Sequence, residues 1–152
     1  MILPLLPLRG LAIFPYMVLH FDVGREKSIK AVEEAMLGEQ LIFLAAQKDV
    51  KVDEPAAEDI YKFGTVAKIK QIMKLQNGNV RILVEGLARG KTVSVTDEKT
   101  HLVAEIRRYP VGKYDMSDEL EAYMRAAKRM FEEYLKLLPK VPHETVATIM
   151  NI

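Results

Sequence analysis

Two runs of alternating apolar and polar residues meet at Asn77-Gly78 in the middle of the chain. Before the pair, Ala67, Ile69, Met73 and Leu75 share one face of an extended strand, and Lys68, Lys70 and Lys74 share the other. After it, Val80, Ile82 and Val84 alternate with Arg81 and Glu85. A period of two marks strands buried on one side. Asn-Gly between such runs predicts a tight hairpin of type I′, whose two central residues both need positive φ. The stretch Gly64 to Arg89 is therefore expected to form a half-buried antiparallel ribbon.

The same reading extends outward. Leu19, Phe21 and Val23 alternate with Val18, His20 and Asp22, which predicts a strand. From Glu26 to Leu37 the spacing turns helical, with Ile29, Val32 and Met36 on one stripe and Gly38 placed as a stop. Leu41 to Ala46, LIFLAA, is an apolar run of strand length, expected to be buried on both faces. Asp49 to Asp59 is acidic and reads as a mobile loop. Lys91 to Thr96 and His101 to Tyr109 are two further strands around Asp97 to Thr100. The opening MILPLLPLRG lacks a basic leader and carries two prolines, so it reads as an edge strand, not a signal peptide. Residues 1–110 thus predict an α+β domain: a curled antiparallel sheet (pseudo-barrel) with one early helix.

A different module follows Tyr109-Pro110-Val111-Gly112. Ser117 or Asp118 can cap a helix, and Glu121 stands where a capping-box partner of Asp118 would sit. Leu120, Met124, Ala127, Phe131, Tyr134 and Leu138 then form a heptad-like seam. Pro139 and Pro142 break it, and a second helical pattern (Val146, Ile149, Met150) begins after Glu144. Residues 117–152 therefore read as a C-terminal helical extension. Its uncapped final stripe is expected of a fragment of a longer protein.

Composition narrows the chemistry. With 152 residues, 49% of them hydrophobic, the chain can bury a real core. No apolar run approaches the ~18 residues of a membrane span. Cysteine is absent, which excludes disulfides and thiolate metal sites and suits a reducing, cytoplasmic setting. A net charge of +1 exerts no global pull on nucleic acid or acidic lipid.

Candidate active sites fail one by one. Gly86 to Thr92, GLARGKT, has one residue too few between its glycines for a phosphate-binding loop, and a strand follows instead of a helix. It reads as a glycine-flanked connection between strands. His20, His101 and His143 have no helical ligand partner at i+3 or i+4. Ser28 is expected to face solvent early on its helix, and neither Ser94 nor Ser117 lies on a strand-turn-helix elbow. Catalytic residues are expected to be absent, as are metal and cofactor sites, so the isolated chain should show neither protease nor ATPase activity.

Two surfaces remain. Lys62, Lys68, Lys70, Lys74, Arg81, Arg89 and Lys91 face only Glu85 in opposition, a basic stretch that could track phosphates. It lacks the interleaved exposed aromatics of single-strand binders, so a solvated strand face is the competing reading. In LAIFPYMV, Leu11 to Val18, Pro15 breaks an apolar run and forces the backbone to turn. Phe14, Pro15, Tyr16 and Met17 are candidates for an exposed apolar patch that binds clients, with Met73 and Leu75 near the hairpin tip as further candidates. The alternative is that all of them pack inward.

Several motifs carry a family resemblance. PLLPLRG (Pro4 to Gly10), Phe14-Pro15, VGREKSI (Val23 to Ile29), DEP (Asp53 to Pro55), GTVAKI, KLQNG and VRILVEGL resemble, in order, the N-terminal domain of ATP-dependent Lon proteases. Gln76 departs from the family, where proline often precedes the turn. The resemblance implies a non-catalytic domain that captures unfolded, damaged or degron-bearing proteins. It would pass them to an AAA+ motor, which uses ATP and magnesium, and to a Ser-Lys protease domain, both outside this chain. It also implies a homo-oligomer, commonly a hexamer, to which the helical arm contributes self-association. A nucleic-acid-binding module and a purely structural oligomerisation domain are the alternatives.

Overall fold

The computed structural model describes residues 1–109 and 116–137. The chain divides into two compact units, Met1–Val111 and Gly112–Ile152. In the first, β1 (Ile2–Leu8), β2 (Val18–Val23), α1 (Glu26–Leu37), β3 (Leu41–Gln47), β4 (Ile60–Lys74), β5 (Val80–Glu98) and β6 (His101–Tyr109) follow one another. In the second, the described element is α2 (Asp118–Leu135).

The strands form one sheet in the order β2-β5-β4-β3-β1-β6, and a further β5–β6 pairing closes the circuit. Length makes this closure possible. β5 has 19 residues: Val80 to Glu85 pair with β2, Val80 to Lys91 with β4, and Arg89 to Glu98 with β6. Bulges bend it. One extra residue stands in β4 at Lys70 and one in β5 at each of Leu87 and Val93. Each bulge unpairs a residue and sharpens the twist, which curls a sheet. The expected α+β class and curled sheet are therefore present, with one parallel pair, β1–β3, among antiparallel ones.

Core residues lie on both sides of β3, as LIFLAA predicts. Ile42 and Leu44 join a cluster with Val32, Ala67, Ile69, Ile82 and Val84. Phe43 and Ala45 join another with Leu5, Val66, Ala104 and Ile106. The helix spacing is equally sound: Val32 is buried, and Ile29 and Met36 pack against the first cluster. Ser28 departs from expectation. It is 5% exposed, on the inward stripe four residues before Val32.

Other expectations need correction. β1 is not an edge strand, because Ile2 to Leu5 pair with β6 and Leu5 to Leu8 with β3. Pro4 and Pro7 are tolerated because each lies in a half with one partner, so a missing N–H can point to the unpaired side. GLARGKT is no connection but uninterrupted β5. Its glycines make room: a Cβ on Gly90 would stand 2.7 Å from Ile106 Cγ2 and 3.0 Å from Phe43 Cε2. The acidic loop is pinned, not free. Gln47 Nε2 donates to the carbonyls of Asp49 and Val52, Arg9 pairs with Asp53 at 2.6 Å, and Ala57–Asp59 form a 3-10 turn. Ser117, not Asp118 with Glu121, caps α2: its Oγ accepts from Leu120 N–H at 3.1 Å.

The hairpin forms at Asn77-Gly78 with a different turn. Gly78 has φ +83, but Asn77 is not among the residues with positive φ, which excludes type I′. Gly78 N–H donates to Leu75 O and Leu75 N–H to Asn79 O, so Gln76 and Asn77 occupy a type I turn followed by a left-handed glycine. This also accommodates Gln76, since position i+1 of type I accepts proline or almost any other residue. No other atom lies within 4 Å of a Cβ built on Gly78. Gly78→Val should therefore destabilise through backbone strain alone, by about 1 kcal/mol or slightly more, read as a lower urea midpoint.

Candidate functional site

The segment between β1 and β2 docks on β4 and β5 and makes a tight turn. Met17 N–H donates to Phe14 O at 3.2 Å, enclosing Pro15 and Tyr16. Pro15 suits the first central position of such a turn. The second carries Tyr16 at φ +69, where glycine is usual, and a bulky L-residue there costs roughly 1–2 kcal/mol. Such strain persists only where the surroundings over-determine it.

Those surroundings are three anchors. Tyr16 N–H donates to Gly86 O and Gly86 N–H to Met17 O, both at 2.8 Å. Thr65, buried on β4, donates its hydroxyl to Ile13 O at 2.5 Å. Ile13 itself is buried in the first core cluster. Gly86, beside the Leu87 bulge, has no side chain to obstruct this docking; a Cβ there would lie 2.3 Å from Phe14 O. The backbone of the turn is thus held while its side chains lie mostly outward, Met17 Sδ accepting a hydrogen bond from Phe14 N–H at 3.3 Å. Phe14 is 56% exposed, Tyr16 75% and Met17 38%, with Pro15 half-buried between them. The inward-packing alternative does not hold for these residues.

The two distal candidates lie apart from the turn. The bulge at Lys70 reverses the alternation of β4, so Ile72 faces the core cluster and Met73 faces out. Met73 is exposed beside His20, Gln71, Arg81 and Leu83, around a depression of about 260 Å³. Leu75 is half-buried near the turn. The same bulge breaks the expected basic row of Lys68, Lys70 and Lys74. Lys70 pairs instead with Glu85 at 2.6 Å.

Electrostatics near β2 are local. Arg81 donates Nε and Nη2 to Asp22 at 2.6 and 2.9 Å, which holds the Asp22 carboxyl below its usual range. Desolvation lowers Arg25, whose Nη2 reaches Gln47 Oε1. Among the described residues no group of three or more His, Cys, Asp or Glu could hold a metal ion. His20 is exposed, His101 is buried, and His143 lies outside the described residues. No described helix is long and apolar enough to cross a membrane.

Sequence reasoning missed a second exposed group. Tyr61, Phe63 and Tyr109 are 52%, 54% and 40% exposed; Phe63 pairs with Lys91, Lys91 with Arg107, and Tyr109 with Arg89 on neighbouring strands. Their signal was present in the sequence but needed strand registers to read.

Residues 2–152 match the family described as the ATP-dependent protease La (LON) substrate-binding domain. The chain is 48% identical over 150 residues to the Lon protease of Desulforamulus reducens, covering 99% of this chain and 18% of that protein. It is 44% identical over 151 residues to Lon protease 1 of Bacillus subtilis, covering 99% and 19%. It therefore spans less than a fifth of the length of these relatives. Its fold is similar to the N-terminal domain of Mycobacterium avium complex Lon protease, with TM-score 0.71 at 18% identity over 100% of this chain and 76% of that one. A Lon N-terminal domain protein from Xanthomonas campestris gives TM-score 0.63 at 14% identity, over 98% and 89%. On the full-length family match and the identity to its relatives, this chain belongs to the Lon protease substrate-binding domain family.

Proposed function

We propose that the chain captures unfolded, damaged or degron-bearing proteins for an ATP-dependent Lon serine protease, and that the Phe14-Pro15-Tyr16-Met17 turn is its primary contact. The observation that carries this reading is the turn itself: a strained, three-point-anchored backbone that presents large apolar side chains to solvent. Unfolded chains expose clustered apolar side chains that folded ones hide. An adaptable thioether and a tyrosine ring on a fixed backbone can bind many such segments at little entropic cost. Met73 and Leu75 act as secondary contacts for longer segments.

Chemistry belongs to other parts of the whole protein: an AAA+ motor using ATP and magnesium, and a protease domain with a Ser-Lys dyad. The protein is cytoplasmic and assembles as a homo-oligomer, commonly a hexamer. α2 supports this through its apolar seam. Leu120, Met124 and Phe131 are half-buried, Ala127 and Tyr134 are exposed, and Leu138 lies outside the described residues. No residue of α2 is fully buried, which leaves apolar surface for another copy.

NMR shift mapping with a permanently unfolded protein, against the same protein folded, tests the reading. Amides of residues 14–17 should respond to the unfolded form alone. Their silence toward it, or an equal response to both, would refute capture at this turn.

A further inference from the structure

Beyond the turn, the same segment borders a groove of about 380 Å³ between Phe14 and Phe63, floored by Leu44 and Ala46, with Arg89 at its rim. The rim continues across the sheet. Phe63 pairs with Lys91 and Lys91 with Arg107, while Arg89 pairs with Tyr109. Strand spacing puts these backbone positions roughly 5–7 Å apart, within reach of successive outward side chains of one extended peptide. None of Arg89, Lys91 and Arg107 forms an ion pair with another of the described residues. Glu105, two residues before Arg107, takes a hydrogen bond from Ser94 at 3.4 Å.

We propose that this face selects among unfolded clients, favouring segments in which an aromatic or large aliphatic side chain lies a few residues from a carboxylate. The apolar side chain enters the Phe14–Phe63 groove, and the carboxylate meets Arg89, Lys91 or Arg107. The inference rests on the client-capture reading and adds a preference to it. Single-stranded nucleic acid is the rival occupant, since it also needs cations and rings. Geometry disfavours it. Lys91 Nζ sits 5.2 Å over the Phe63 ring and occupies the face a base would stack on. The Phe63 and Tyr109 rings are inclined at 48° with centroids 6.2 Å apart, so they form no parallel platform.

Fluorescence anisotropy on the whole chain tests the preference. The probes are a labelled flexible peptide with phenylalanines flanked by glutamate, its glutamine and lysine counterparts, and a labelled oligothymidylate of similar length. The acidic peptide should bind about 5-fold tighter at ~0.05 M salt, with the gap closing near ~0.5 M. Arg89→Glu with Arg107→Glu should reverse the order in favour of a lysine-flanked peptide. Lys91→Gln, a milder change, should narrow the gap; melting curves confirm that each variant folds. Equal affinity for the acidic and neutral peptides, binding of neither, or tighter binding of the oligonucleotide overturns the inference. Shift mapping with the unfolded protein keeps the two readings separable. If residues 14–17 respond but the peptides are not distinguished, only the preference fails; if they stay silent, capture fails as well.

Discussion

Gly86→Val should destabilise the fold by about 3–5 kcal/mol and unseat the Phe14–Met17 turn. The new side chain would start 2.3 Å from Phe14 O and within 3.3 Å of Pro15 Cα, and both are backbone atoms that cannot swing aside. Relief requires lifting the turn, which breaks the two 2.8 Å hydrogen bonds between Gly86 and residues 16 and 17. Overpacking of this kind typically costs 1–3 kcal/mol, and each lost bond adds about 1. Against a total stability of roughly 5–15 kcal/mol, the loss should be plain in a urea melt. Amide shifts should concentrate in residues 13–18. A variant with unchanged midpoint and spectrum would show that the turn does not depend on Gly86.

That glycine illustrates what the sequence made legible and what it hid. Alternation correctly placed β2 and the ribbon, and a strand-length apolar run placed β3, because each strand's burial is written in its own residues. Helical spacing placed α1 for the same reason. The bulges at Lys70, Leu87 and Val93 left no local mark, since a bulge is defined by counting residues against a partner strand. The one at Lys70 leaves that residue unpaired in the ladder and reverses the face assigned to Met73. Gly64 and Gly90 were opaque for a similar reason: both yield space to the Phe43 ring, which lies far off in sequence. Pro4 and Pro7 pointed to an edge strand because sequence alone could not show β1 changing partners midway along its length. Of the candidate site, the proline-broken run in LAIFPYMV was readable as a turn, and the anchors at Gly86 and Thr65 were not. The family motifs carried more functional information than any single residue pattern.

The turn's strain supplies the sharpest test of its purpose. Tyr16 holds φ +69, a conformation glycine adopts freely, so Tyr16→Gly should remove local strain. The glycine's larger unfolded-state entropy offsets part of the gain, leaving stability unchanged or raised by up to about 1 kcal/mol. If the residue were there for stability, no function should suffer. If it is retained to present its ring, binding of an unfolded client should weaken while the fold improves, the trade-off expected of strained functional positions. Tyr16→Ser with Met17→Ser takes both side chains away while keeping an L-residue in the turn. It should weaken client binding about tenfold or more, on the order of 1.4 kcal/mol, with a nearly unchanged melting temperature. A stability loss of several kcal/mol in the double variant would mean that these side chains are core. Client affinity equal to that of the parent in both Tyr16→Gly and the double variant would place capture elsewhere on the domain.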